Sequence, residues 1–269
     1  MKNGILNHLQ QISLIALMGI SVTISAKAES FGFDVNEIVG GTTVKSSDPV
    51  AASTVLLLAK PSSGEYLCTG SLIAQDIIVT AAHCVAAAAS EIQIVFGLSI
   101  DGNSWNPTSS DVVMPITGYL ANPHYQGENF QGNDMGDIAI IHINRPLPAG
   151  FRPAVVLPSS ISLSPGEPTL LAGYGITSGI TQKGAGTLRQ VTVPILDSVG
   201  STEESIDESH RKGSCSGDSG GPAFVQSGGQ LYLWGVTSRG DQNCQQEGIY
   251  TRINTYSAWI NQAAAQLRR

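Results

Sequence analysis

The chain has 269 residues, 42% of them hydrophobic and 13% charged, which places it among ordinary globular proteins and excludes fibrous and disordered classes. A net charge of -7 and the lack of any lysine/arginine stripe argue against a nucleic-acid partner, because phosphate binding draws on clustered cations. Its 30 glycines and 13 prolines punctuate short apolar runs, a pattern that points to a β-rich protein with many tight connections.

Residues 1–28 read as an export signal. Lys2 supplies the positive end, residues 12–24 the apolar stretch, and Ala26-Lys27-Ala28 a small-residue cleavage site. The apolar stretch falls short of the roughly 20 residues needed to span a bilayer, and no later segment qualifies. The mature chain is therefore expected to begin near Glu29, with no membrane segment after signal removal and a secreted or periplasmic destination. Export permits disulfides, and the four cysteines pair as two bridges in one of three connectivities.

Further along, residues 66–85 (YLCTGSLIAQDIIVTAAHCV) hold two strand-like runs, 71–73 and 77–79, joined by a polar turn. His83 follows the second run directly. Cys68 and Cys84 lie close on either side, and a bridge between them would hold the imidazole in one place, as a general base requires. Gly217-Asp218-Ser219-Gly220-Gly221-Pro222 surrounds a serine with glycines, whose freedom at positive φ lets a loop aim successive N–H groups at one point. An oxyanion hole built by the N–H groups of Gly217 and Ser219 would then lie beside the hydroxyl.

A serine hydroxyl needs a base to take its proton, and the base needs a carboxylate to fix its tautomer. Two candidates occur in the segment NDMGDIAIIHI. Asp137 opens the apolar run 138–143 and so stands at the edge of a core strand, whereas Asp134 lies in a Gln/Gly/Asn-rich loop. Rigid placement favours Asp137. The acidic run 203–208 reads as a solvated loop, and His124, His142 and His210 as strand or loop residues. No Cys/His cluster has metal-site spacing, and no metal or other cofactor is expected.

These residues resemble the chymotrypsin/trypsin family of serine peptidases. Ile38-Val39-Gly40-Gly41 is similar to the family's mature N-terminus, Thr80-Ala81-Ala82-His83-Cys84 to its histidine motif, Asp137-Ile138-Ala139-Ile140 to its aspartate motif, and GDSGGP to its serine motif. The order is the family's, and the likeness extends over residues 38–269. The resemblance implies an all-β fold of two packed six-stranded antiparallel β-barrels with a short C-terminal helix, for which residues 256–267 are suited, with Asn254 or Thr255 as cap. It implies a triad of His83, Asp137 and Ser219, and bridges Cys68–Cys84 and Cys215–Cys244. Residues 29–37 then form a propeptide ahead of a protease domain, 38–269. Cleavage after Glu37 by an activating protease would free the Ile38 ammonium to pair with Asp218.

By the family's pattern Gly213, Ser238, Gly240 and Gly248 form the specificity pocket. Its three glycines predict an open slot for a large apolar residue before the scissile bond. Arg239 departs from the family's usual tryptophan, and residues 195–214 lack the cysteines that pin the loop beside the pocket, so the pocket rim is expected to be mobile or reshaped. The expected protein is a monomeric endopeptidase acting on proteins or peptides; the competing reading is a catalytically silent relative that serves as a binding protein.

Overall fold

The computed structural model describes residues 38–101, 104–127 and 130–269. The expected signal peptide and propeptide lie outside these residues. Two antiparallel sheets make up the fold. The first is built from β2 (Thr54–Ala59), β3 (Tyr66–Leu72), β4 (Ile77–Thr80), β5 (Ile92–Phe96), β6 (Val112–Pro115), β7 (Gly118–Ala121) and β8 (Ala139–His142), in the order β6-β5-β2-β3-β4-β8-β7. All six residues of β2 are buried, which its uninterrupted TVLLLA run foreshadows. Among the described residues the end strands β6 and β7 do not pair, so this sheet is a curled half-barrel.

The second sheet does close. Strands β10 (Pro168–Gly173), β11 (Arg189–Val199), β12 (Glu203–Asp207), β13 (Pro222–Ser227), β14 (Gln230–Gly240) and β15 (Glu247–Arg252) form a ring, completed by the pairing of β11 with β12. The two-residue strands β1 (Thr42–Thr43) and β9 (Val155–Val156) attach to β11 and β14. Alternation sets the inward face: Val191, Val193 and Ile195 of β11 are buried while Thr192, Pro194 and Leu196 are exposed. The enclosed core gathers those three with Ile38, Leu171, Ala223, Trp234 and Tyr250. The Trp234 indole N–H donates to Thr169 Oγ1 at 2.9 Å, and that hydroxyl donates to the Phe224 carbonyl at 2.9 Å, so neither buried polar group is left unmatched.

Both bridges form as the resemblance implied, with Cα separations of 6.1 Å for Cys68–Cys84 and 5.4 Å for Cys215–Cys244. The terminal helix α1 (Ser257–Leu267) packs Ile260, Ala263 and Ala264 inward. Its start differs from expectation. Residues 253–256 form a 3-10 turn, no side-chain cap bond is made at Tyr256, and the Thr255 hydroxyl turns back to the Arg252 carbonyl instead.

The acidic stretch also differs. Residues 203–208 are not a solvated loop: 203–207 are β12, paired between β11 and β15, and Glu203, Glu204 and Glu208 are all buried. A run of like charges suggests water contact, yet each of these carboxylates meets donors inside the fold: Arg239 and two backbone amides at Glu203, Ser198 and Arg252 at Glu204, and Ser214 at Glu208.

Candidate active site

His83 sits in a single 3-10 turn, Ala82–Val85, immediately after β4, and the Cys84 bridge ties that turn to β3. Asp137 stands two residues before β8, with 1% of its surface exposed. One carboxylate oxygen accepts the His83 backbone N–H at 3.1 Å, and the other lies 2.8 Å from His83 Nδ1. The second oxygen also accepts the Ser238 hydroxyl at 2.8 Å, while the Asp137 carbonyl accepts the Thr251 hydroxyl at 3.1 Å. With Asp137 as acceptor, the proton belongs on Nδ1, which makes Nε2 the basic nitrogen. Ser238 reaches this position because β14 and β15 shift register between Thr237 and Arg239, a bulge that re-aims the intervening side chain.

Asp134, the rejected alternative, is engaged elsewhere. Its carboxylate accepts from the backbone and hydroxyl groups of both Ser201 and Thr202 at 2.6–3.0 Å. Burial alone would raise this carboxyl, but those four donor groups bring it down to about 2.

The serine loop is held by the first sheet. Thr69 on β3 donates its N–H to the Ser219 carbonyl at 2.8 Å and its hydroxyl to the Gly217 carbonyl at 2.9 Å. Gly220, at φ +79, rests so close that a Cβ there would stand 2.0 Å from the Thr80 hydroxyl and 2.4 Å from the Thr69 carbonyl. Gly217 has φ +97. The N–H groups of Asp218, Gly220 and Gly221 are spent on the carbonyls of Cys215, Thr237 and Asp218. Among the described residues, no acceptor takes those of Gly217 and Ser219.

Ser219 borders a cavity of about 170 Å³, and His83 and Asp137 border another of about 160 Å³. Ser238 and Arg239 line both, so the two are neighbouring parts of one cleft. His83 lies near the sulfurs of Cys68 and Cys84, but both are consumed in the bridge and leave no thiolate to ligate a cation.

Of the expected specificity-pocket residues, Gly240 and Ser238 line the Ser219 cavity, Ser238 also donating to Asp137, and Gly213 and Gly248 are absent from its lining. Nor do the glycines leave open space. A Cβ on Gly213 would lie 2.4 Å from the Glu208 carboxyl carbon, and one on Gly248 would lie 2.6 Å from Glu208 Oε1. A buried carboxylate fills the room expected for an apolar side chain.

Arg239 is engaged within the fold. Its guanidinium meets Glu203 in a two-pronged pair, Nη1 and Nη2 each 2.8 Å from a carboxylate oxygen. Glu203 also accepts the backbone N–H groups of Asp134 and Met135 at 3.0 Å, fixing the segment that leads to Asp137. This reshapes the rim without cysteines. Glu203, Glu208 and the Asp137-directed role of Ser238 escape sequence reading; the one available signal is the coincidence of Arg239, a departure from the family's pattern, with the acidic run 203–208.

A curled sheet packed on a closed six-strand barrel, with an aspartate-bound histidine and a glycine-framed serine on one cleft, defines a class of serine endopeptidases. The Trypsin family model matches residues 38–260. Pig (Sus scrofa) trypsin is 32% identical over 254 residues, covering 86% of this chain and 97% of that protein. Duodenase-1 of cattle (Bos taurus) is 28% identical over 254 residues, covering 88% and 92%. Trypsin-3 of salmon (Salmo salar) is 32% identical over 218 residues, covering 76% and 85%. The chain belongs to the trypsin family and is a serine-type endopeptidase, a hydrolase.

Glu203 anchors two backbone amides and a guanidinium from a fully buried position. Glu203→Ala is expected to destabilise the fold by about 2–4 kcal/mol in urea titration, because it strands the partly buried Arg239. An unchanged midpoint would show that the segment before Asp137 is held without it.

Proposed function

We propose that this protein is an exported endopeptidase, made as a zymogen, that hydrolyses proteins or peptides through Ser219, His83 and Asp137. The observation that carries the reading is the buried Asp137 carboxylate on His83 Nδ1, together with two unspent N–H groups flanking the Ser219 position. Ser219 Oγ attacks the scissile carbonyl while His83 Nε2 takes its proton. The N–H groups of Gly217 and Ser219 receive the developing oxyanion, and His83 returns the proton to the departing amine. An acyl-enzyme remains on Ser219 until water, activated by the same imidazole, releases it.

Residues 1–28 serve as the signal peptide, residues 29–37 as the propeptide and residues 38–269 as the protease domain, active as a monomer. Export accords with two disulfides and no free thiol among the described residues. Activation would follow cleavage after Glu37. Asp218 is buried, and the N–H groups of Gly175 at 2.8 Å and Cys215 at 2.9 Å donate to it. Burial pushes its carboxyl up to about 7, against the pull of those two bonds. Ile38 is already buried, and the Val39 carbonyl accepts the Gly213 N–H at 3.0 Å, so the new N-terminus has a seat beside the pocket loop. A freed ammonium reaching Asp218 would complete the pair and set the backbone at Gly217 and Ser219.

Two outcomes are expected. A serine-directed phosphonate should label the cut wild type at Ser219 and leave Ser219→Ala untouched; an unlabelled wild type would favour the silent, ligand-binding alternative. The second concerns pH. A carboxyl raised in the fold destabilises it increasingly as pH climbs from about 4, its unfolded value, to about 7. Thermal unfolding of the Ser219→Ala precursor should show that decline, and cleavage after Glu37 should relieve it; coincident pH profiles for cut and uncut protein would contradict the ammonium–Asp218 pair.

A further inference from the structure

We propose that one mouth of the closed barrel is a second binding site, for a primary alkylammonium, in which Glu204 accepts the ammonium and Leu157, Ile161 and Leu163 seat the alkyl chain. A cavity of about 290 Å³ lies there, and it shares no lining residue with either part of the catalytic cleft. Three adjoining strands of the ring each contribute one polar residue to it: Ser198 from β11, Glu204 from β12 and Arg252 from β15. Register explains why polar groups face a barrel interior. Glu204 pairs with Tyr250, which belongs to the enclosed core, and Arg252 stands two residues further along the same face of β15. Ser198 comes to that face because β11 shifts register between Ile195 and Asp197, which sets it opposite Glu204. The apolar wall continues the core, Leu157 being part of it and Ile161 and Leu163 packing against it. An apolar recess with a few convergent polar groups at a barrel mouth is the usual setting for a small ligand.

The polar groups specify a cation. Glu204 is 2% exposed, and both of its contacts fall on one oxygen: Oε1 accepts the Ser198 hydroxyl at 3.2 Å and lies 3.2 Å from Arg252 Nη1. Among the described residues, no donor meets Oε2. Burial pushes the Glu204 carboxyl up; Ser198 and Arg252 oppose that, and Asp197 adds repulsion, so the carboxylate remains under-compensated by its one cation. Arg252 in turn has little to offer an anion. Its Nη1 serves Glu204, its Nη2 donates to the Ser201 carbonyl, and its Nε is buried without an acceptor.

An ammonium brings three donors and a positive charge, enough for Glu204 Oε2 and for the serine hydroxyls beside it. An alcohol of the same length brings one donor and no charge, and a charge-assisted bond is roughly twice as strong as a neutral one. A carboxylate would face Glu204 with like charge. Free aliphatic amines and lysine side chains both carry the required group.

The test titrates full-length Ser219→Ala protein with n-pentylamine, n-pentanol and pentanoate at constant pH and ionic strength, read by amide-resolved NMR. Removing the nucleophile makes the result independent of the endopeptidase reading. Pentylamine should saturably shift residues 157–163, 198, 204 and 252–255, binding about tenfold or more tighter than pentanol, while pentanoate leaves them unmoved. Glu204→Gln should weaken pentylamine about tenfold or more and leave pentanol unchanged. Ser162→Trp, at an exposed rim position, should block both ligands with the Glu204–Arg252 pair intact, which keeps the test decisive if Glu204→Gln does not fold. Nα-acetyl-lysine amide binding as tightly as pentylamine would support the site with a chain-borne lysine as its ligand, and weaker binding would support it with a free amine. Pentanol or pentanoate binding as tightly as pentylamine, shifts confined to the catalytic cleft, undiminished pentylamine affinity in a folded Glu204→Gln, or undiminished affinity in Ser162→Trp would overturn the proposal.

Discussion

The Asp137 carboxylate is the contact on which this arrangement rests. It enters from the end of the first sheet, yet a hydroxyl from β14 of the closed barrel donates to it, and one from β15 donates to its carbonyl. A carboxylate this deeply buried is tolerated only while its donors stay in place, since an unpaired charge in the interior costs several kcal/mol. Sliding one sheet against the other would strand it. The same oxygen that restrains the sheets also orients His83, so the stability of the junction and the alignment of the imidazole come from one group.

A second tie runs the opposite way. Thr69, on the curled sheet, holds the carbonyls of Gly217 and Ser219, which belong to the closed barrel. Each sheet thus carries half of the cleft and fixes the half carried by its neighbour. With those carbonyls pinned, the intervening N–H groups have few directions left, and among the described residues those of Gly217 and Ser219 meet no acceptor. The glycines at 217 and 220 are required by this approach: positive φ at both, and at Gly220 contact too close for any side chain.

Much of this was legible in the sequence because it is carried by short, contiguous patterns. The run leading into His83, the apolar stretch after Asp137 and the glycine-framed serine each declare their local conformation. The choice of Asp137 over Asp134 followed from adjacency to a core strand, and the structure accordingly gives His83 to the former and Ser201 and Thr202 to the latter. What was illegible depends on partners far off in the chain. Glu203 and Arg239 are 36 residues apart, and nothing local says that one buries because the other arrives. Glycines at 213, 240 and 248 suggest vacancy, although a glycine shows only that a Cβ is missing, not what takes its place. The helix cap failed for a smaller reason: the chain enters through a 3-10 turn, which shifts the first helical residue past Thr255.

The proton shared between His83 Nδ1 and Asp137 reports the central contact directly. Proton NMR of the Ser219→Ala protein should show one low-field imidazole N–H resonance that disappears on Asp137→Asn and on His83→Ala. Absence of that resonance, or its persistence in Asp137→Asn, would mean that the carboxylate does not hold the imidazole and would contradict the account.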